Sequence, residues 1–180
     1  MRKSLQEGAG QGVFARRWLQ EGVILPYFGT IKSVEDVEGI DDTYFMEVKY
    51  MTKSDKPRRI KALVADGNPA QPCIGELLPH IKASVFVNEC TSSPPNCIFV
   101  DNYSLLKPDI EAVIGIEDVA ILVAVLVTVK PIEEGEELYT IYGPTHNSDG
   151  AYQQWRGSPG EKEELMTRAC SLVEYARDDI

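Results

Sequence analysis

The stretch Gly135-Glu136-Glu137-Leu138-Tyr139-Thr140-Ile141-Tyr142-Gly143 constrains this chain most. It follows an apolar run, Val119 to Val129, and a polar turn, Lys130-Pro131-Ile132-Glu133-Glu134. The pattern predicts a buried strand, a reversal, and a short strand that ends at Tyr142-Gly143. The apolar run is too short to span a bilayer, which takes about 20 apolar residues. A buried strand is therefore the expectation, with no membrane contact.

Other stretches read by the same rules. Val13-Phe14-Ala15 reads as a strand after the glycine-rich Gly8 to Gly12, and Val23 to Ile31 as a second. Pro26 marks the second as an edge strand or a bulge, because proline has no N–H for a ladder. Ser33 to Asp42 reads as a short helix or loop. Thr43 to Met51 and Ile60 to Asp66 flank a polar turn and read as a hairpin. Gly67 to Pro79 carries five glycine or proline punctuators and is loop with at most one helical turn. Cys97 to Asn102 reads as a strand and Tyr103 to Asp109 as a turn. Ser158-Pro159-Gly160-Glu161 has the form of a helix start, with a serine cap, proline in the first position and an acid in the first turn. Leu165, Met166, Ala169, Leu172, Val173 and Ala176 then recur at helical spacing.

Three stretches in order resemble a known family. They are Gly10-Gln11-Gly12-Val13-Phe14-Ala15, then Val85-Phe86-Val87-Asn88-Glu89-Cys90 with Pro94-Pro95-Asn96-Cys97, then the Gly135 to Gly143 stretch. Together they resemble the SET-domain family of protein lysine methyltransferases. The resemblance implies a mostly β (α+β) fold of small sheets, with a knot-like crossing and, here, a C-terminal α-helix. Residues 1–143 would form the SET-like domain, with a variable insert at about 52–80. Residues 144–180 would cover the active site.

The resemblance also implies roles. S-adenosylmethionine would be the cofactor and S-adenosylhomocysteine its product, with no metal. The main chain of Gly10, Gln11 and Gly12 would run beside the methionine portion, and Asn88 would bond the cofactor. The backbone of Glu89 would meet the adenine edge, and Trp155 would stack on the ring. Tyr142 would be catalytic and also touch the cofactor, while Tyr27 would wall the lysine channel. Tyr139 is three residues from Tyr142 and should point to the opposite face, as packing. Glu89 stands where the family has histidine, a residue that props up the crossing in typical members. Pro26 stands where the family has an acid.

Read by themselves, several of these residues have plainer uses. A Gly-x-Gly is commonly a turn, Asn88 a turn cap, and Tyr27 an amphipathic strand aromatic.

Charge bears on partners. The 180 residues carry a formal charge of −10, with 28 acids against 18 lysines and arginines. Such a chain disfavours nucleic acid, which binds by phosphate neutralisation. It suits a basic, lysine-containing peptide such as a histone tail. The four cysteines form no C-x-x-C pair and the chain has two histidines, so no zinc site is expected. The start is too polar for a signal peptide, which points to an intracellular protein, nuclear if histones are the target. A catalytically weak partner-binding module, or an enzyme for a non-histone lysine, are the rival readings.

Overall fold

The computed structural model describes residues 1–40, 44–51, 60–78, 81–90, 93–101, 113–116, 118–142 and 157–178. The expected fold class is what is observed: mostly β, with small sheets and a C-terminal helix. Short strands β1 (Arg2–Lys3) and β2 (Gln11–Gly12) pair antiparallel. A five-stranded sheet has the order β4-β5-β3-β8-β7, formed by β3 (Ile24–Ser33), β4 (Phe45–Met51), β5 (Ile60–Asp66), β7 (Cys97–Asp101) and β8 (Ile121–Thr128). Strands β6 (Asn88–Glu89) and β9 (Tyr139–Thr140) form a third, parallel pair. Parallel strands need a long connection, which the chain between residues 89 and 139 supplies.

The chain divides into two compact units. The first holds Met1–Leu25, Phe86–Val100 and Val125–Ile180. Its core includes Val87, Ile98, Leu126, Val127, Ile132 and Leu138. The second holds Pro26–Val85 and Asp101–Ala124. There the hairpin is confirmed: β4 and β5 pair antiparallel from Phe45↔Asp66 to Met51↔Ile60, and Val48, Leu63 and Ala65 are buried. The turn between them, residues 52–59, lies outside the described residues, as does the predicted turn 103–109.

Three expectations need correction. Strand β3 sits in the middle of its sheet, so Pro26 does not mark an edge strand. The register with β5 begins only at Thr30, and Ser84 Oγ donates to the Pro26 carbonyl. The proline thus precedes the β5 ladder, which needs no N–H from it. Second, Val13–Ala15 forms no regular strand; it bridges the Glu136–Leu138 segment through single bonds. Third, Met166 is exposed, and the buried face of the C-terminal helix α2 (Pro159–Asp178; α1 is the single turn Pro72–Gly75) is carried by Ala169 and Val173.

Helix α2 starts as predicted. Glu161 N–H donates to Ser158 Oγ at 3.3 Å, and the Ser158 N–H and hydroxyl donate to Glu161 Oε2 at 2.7 and 2.8 Å. This reciprocal cap satisfies amides that a helix start leaves open. Arg168 grips Glu21 with two bonds, at 2.6 and 2.7 Å. The guanidinium holds the Glu21 carboxyl below the usual carboxylate range. No helix among the described residues is long and apolar enough to cross a membrane.

Candidate active site

The site grows from the parallel pair β6–β9. Pairing Asn88↔Tyr139 and Glu89↔Thr140 sets the second sequence motif directly against the third. Cys90 N–H donates to the Thr140 carbonyl at 2.8 Å, which extends the ladder. Asn96, buried, locks the same crossing from the other side. Its Nδ2 donates to the Glu137 carbonyl at 2.8 Å and its Oδ1 accepts from Tyr139 N–H at 2.7 Å. An asparagine side chain here acts as a piece of backbone, offering one donor and one acceptor to a strand.

At the centre is Glu137, whose side chain is 1% exposed. Four donors converge on it. Oε1 accepts from Ser4 Oγ at 2.7 Å and from Asn88 Nδ2 at 3.2 Å. Oε2 accepts from Leu5 N–H at 2.8 Å and from Tyr139 Oη at 2.6 Å. A buried carboxylate is costly unless its lone pairs are filled, and here they are. Burial and the adjoining Glu137 in turn push the Tyr139 hydroxyl well above its ordinary range. Tyr139 was expected to be packing. Its ring is half-buried, and its hydroxyl also serves this cluster.

The glycine loop meets the same carboxylate. A Cβ on Gly12 would stand 2.0 Å from Glu137 Oε1. Glycine is therefore required at 12 to admit Glu137. Gly10 differs: its φ is +69°, and nothing lies within 4 Å of where a Cβ would be. That is main chain bare on one side, in a conformation that favours glycine. Gln11 is exposed, and its carbonyl accepts from Asn88 Nδ2 at 3.0 Å. Both Asn88 donors are thus used inside the protein, and its Oδ1 bonds no described residue.

Glu89, buried, points inward: its Oε1 accepts from Tyr142 N–H at 3.1 Å. The Glu89 carbonyl accepts from Gln6 Nε2 at 2.7 Å. Tyr142 donates its hydroxyl to the Val87 carbonyl at 2.8 Å. Gly10, Gln11, Gly12, Asn88, Glu89 and Tyr142 therefore lie in one unit, joined by a chain of hydrogen bonds. Tyr27 belongs to the second unit. It is 4% exposed and donates to the Tyr44 carbonyl at 2.6 Å, with its ring end against Gly67. Trp155 lies outside the described residues. Sequence reasoning did not single out Ser4, Leu5, Asn96 or Glu137 as a cluster. The only signal was that Asn96 and Glu137 stand inside the motifs.

Among the described residues, no group of three or more His, Cys, Asp or Glu side chains is placed to hold a metal. No protein-family model matches the sequence, and no curated protein matches it. Solved structures do. The methyltransferase domain of human PR domain-containing protein 2 is 20% identical, with a TM-score of 0.45, over 76% of this chain and 70% of that one. The SET domain of the RIZ1 tumor suppressor (PRDM2) is 20% identical, with a TM-score of 0.45, over 90% and 72%. A structure of ctPRC2 in an autoinhibited conformation bound to S-adenosylmethionine is 19% identical, with a TM-score of 0.41, over 79% of this chain and 14% of that one.

Proposed function

We propose that this chain is an S-adenosylmethionine-dependent protein-lysine N-methyltransferase. The observation that carries the reading is convergence. Three motifs far apart in sequence are tied into one hydrogen-bonded site, through Asn88 to Gln11 at 3.0 Å and Glu89 to Tyr142 at 3.1 Å. The cofactor's methionine portion carries an ammonium and a carboxylate. The bare main chain at Gly10 and the acceptor Oδ1 of Asn88 fit such a zwitterion. When bound, the cofactor supplies a sulfonium methyl, which a neutral amine takes by direct displacement.

The chain's own task is to orient and to desolvate. A lysine amine has an ordinary pKa of roughly 10.4, so most of it is charged and unreactive at neutral pH. An apolar channel disfavours the ammonium and shifts the amine toward its neutral form. The Tyr142 proton is directed at the Val87 carbonyl, so the oxygen's lone pairs are turned away from it. In this reading those lone pairs receive the amine N–H and hold the nitrogen in line, an orientation that supplies several kcal/mol of barrier lowering. The formal charge of −10 supports a basic peptide as substrate, with histone tails the first class to try and the nucleus as the place of action.

The test is calorimetry with S-adenosylhomocysteine, followed by transfer of labelled methyl from S-adenosylmethionine onto mixed histones. Binding with transfer supports the reading in full. Binding without transfer moves the substrate to a non-histone lysine. No binding at millimolar ligand rejects the enzyme and leaves a partner-binding module.

A further inference from the structure

The cofactor reading names Asn88, but it leaves open which end of the carboxamide meets a ligand. An asparagine side chain has a donor end and an acceptor end, and two orientations that exchange them. In this chain the choice is forced. Nδ2 faces two acceptors, the Gln11 carbonyl at 3.0 Å and Glu137 Oε1 at 3.2 Å. The flipped amide would set Oδ1 against a carbonyl and a carboxylate, two repulsive contacts in place of two bonds.

Glu137 enforces this because it has no freedom to yield. Ser4 Oγ, Leu5 N–H and Tyr139 Oη hold it at 2.7, 2.8 and 2.6 Å. The backbone of Gly12 closes the space beside Oε1. All four partners are donors, a set that a carboxylate accepts in full and a carboxamide does not.

We propose that Glu137 is a positioning residue that fixes the amide of Asn88 with its oxygen outward. The site thereby selects a ligand bearing a hydrogen-bond donor at that point, an ammonium above all. The inference rests on the methyltransferase reading for the identity of the ligand, but the fixing of the amide stands apart from it. Ser4 and Leu5, from a segment outside the three motifs, become part of the selectivity because they hold the carboxylate.

Two measurements on the full chain test this. The first is calorimetry with S-adenosylhomocysteine and with its analogue lacking the α-amino group, for the wild type and Glu137→Gln. The wild type should prefer the amino compound, and the variant should lose at least about tenfold of that preference, the size expected for one hydrogen bond to a charged group. A structural role alone would weaken both ligands equally, and an unchanged ratio would overturn the proposal. The second is the exchange rate of the Asn88 side-chain amide protons by NMR, assigned by their loss in Asn88→Ala. Slow exchange in the free wild type is expected. Exchange at the rate of a solvent-exposed amide would overturn the proposal, whether or not Glu137→Gln folds. Slow exchange with neither ligand bound would sink the cofactor reading and the ammonium selectivity, while sustaining the hold of Glu137 on Asn88.

Discussion

The Glu137 cluster and the β4–β5 hairpin are held together by different means. The hairpin uses main-chain pairing in unbroken register over seven residue pairs, with buried side chains such as Val48 and Leu63 on its faces. The cluster uses side chains as connectors: Asn96, Asn88, Glu89, Ser4 and Glu137 each bind a distant segment. A ladder spreads its stability over many small, replaceable contributions. A buried polar cluster concentrates it, because losing one member leaves several others unsatisfied. The two regions should therefore respond very differently to a change of one small group.

The largest difference is expected at Gly12. In Gly12→Ala the new methyl overlaps a carboxylate that four donors hold in place. Either the carboxylate or the β2 backbone must shift, breaking several buried bonds. A loss of about 3–5 kcal/mol is expected by urea denaturation. Gly67, in the second unit, abuts the Tyr27 hydroxyl and sets a comparison within the same protein. A loss under about 1 kcal/mol in Gly12→Ala would show that the cluster is looser than its distances imply.

The same contrast explains what was legible in the sequence. The hairpin was readable because alternation and turn residues are local signals. The cap of α2 was readable because Ser158 and Glu161 lie three residues apart. The cluster was not readable from pattern, since the Ser4–Glu137 and Asn96–Glu137 bonds join residues 133 and 41 apart, with no periodicity to announce them. Family motifs placed Asn88 and Tyr142 in one site, yet gave no hint that Gly12 makes room for Glu137. Pro26 misled for a related reason. Proline signals a gap in a ladder, and here it precedes the β3–β5 ladder in a central strand rather than marking a sheet edge.

The two tyrosines sharpen the comparison. Each donates its hydroxyl to a main-chain carbonyl, Tyr142 to Val87 and Tyr27 to Tyr44. Tyr27 is buried, whereas Tyr142 is half-buried and lies in the candidate site. Tyr142→Phe should lower turnover by a factor of about 10² or more, the scale of a lost orienting contact to the amine, with little change in S-adenosylhomocysteine affinity. Tyr27→Phe should first cost about 1 kcal/mol of stability, from one lost buried bond. Equal losses of turnover in the two variants would support the catalytic role that the family resemblance implies for Tyr27.

Cys90 offers a pH-dependent version of the same test. Burial, and then the adjoining Glu89 carboxylate, push its thiol from 9.0 up to about 11, against a partial pull from Lys162 and Lys130. The folded state holds this proton more tightly than the unfolded chain does. Its contribution is therefore fully present below about pH 9 and is lost as pH rises through about 11. Stability measured from pH 8 to 11 should fall, and Cys90→Ser should flatten that fall because serine does not ionise in the range. An identical slope in the variant would assign the alkaline loss to Cys97, whose thiol burial also raises, or to Tyr139.

The smallest effects belong to α2, where the bonds are short in sequence or open to water. Ser158→Ala removes the acceptor for the Glu161 amide and should cost about 1 kcal/mol. Arg168→Ala removes two bonds to Glu21, but the arginine side chain is about half exposed. Surface pairs of that kind contribute roughly 0–1 kcal/mol and are screened by salt. The bidentate geometry places this one toward the upper end, so the loss should shrink measurably between low salt and 1 M. The Glu137 carboxylate is buried and its bonds are buried or partly buried, so the Gly12→Ala loss should depend much less on salt. If both variants showed the same salt dependence, the distinction between a buried polar cluster and a solvated surface pair would fail for this protein.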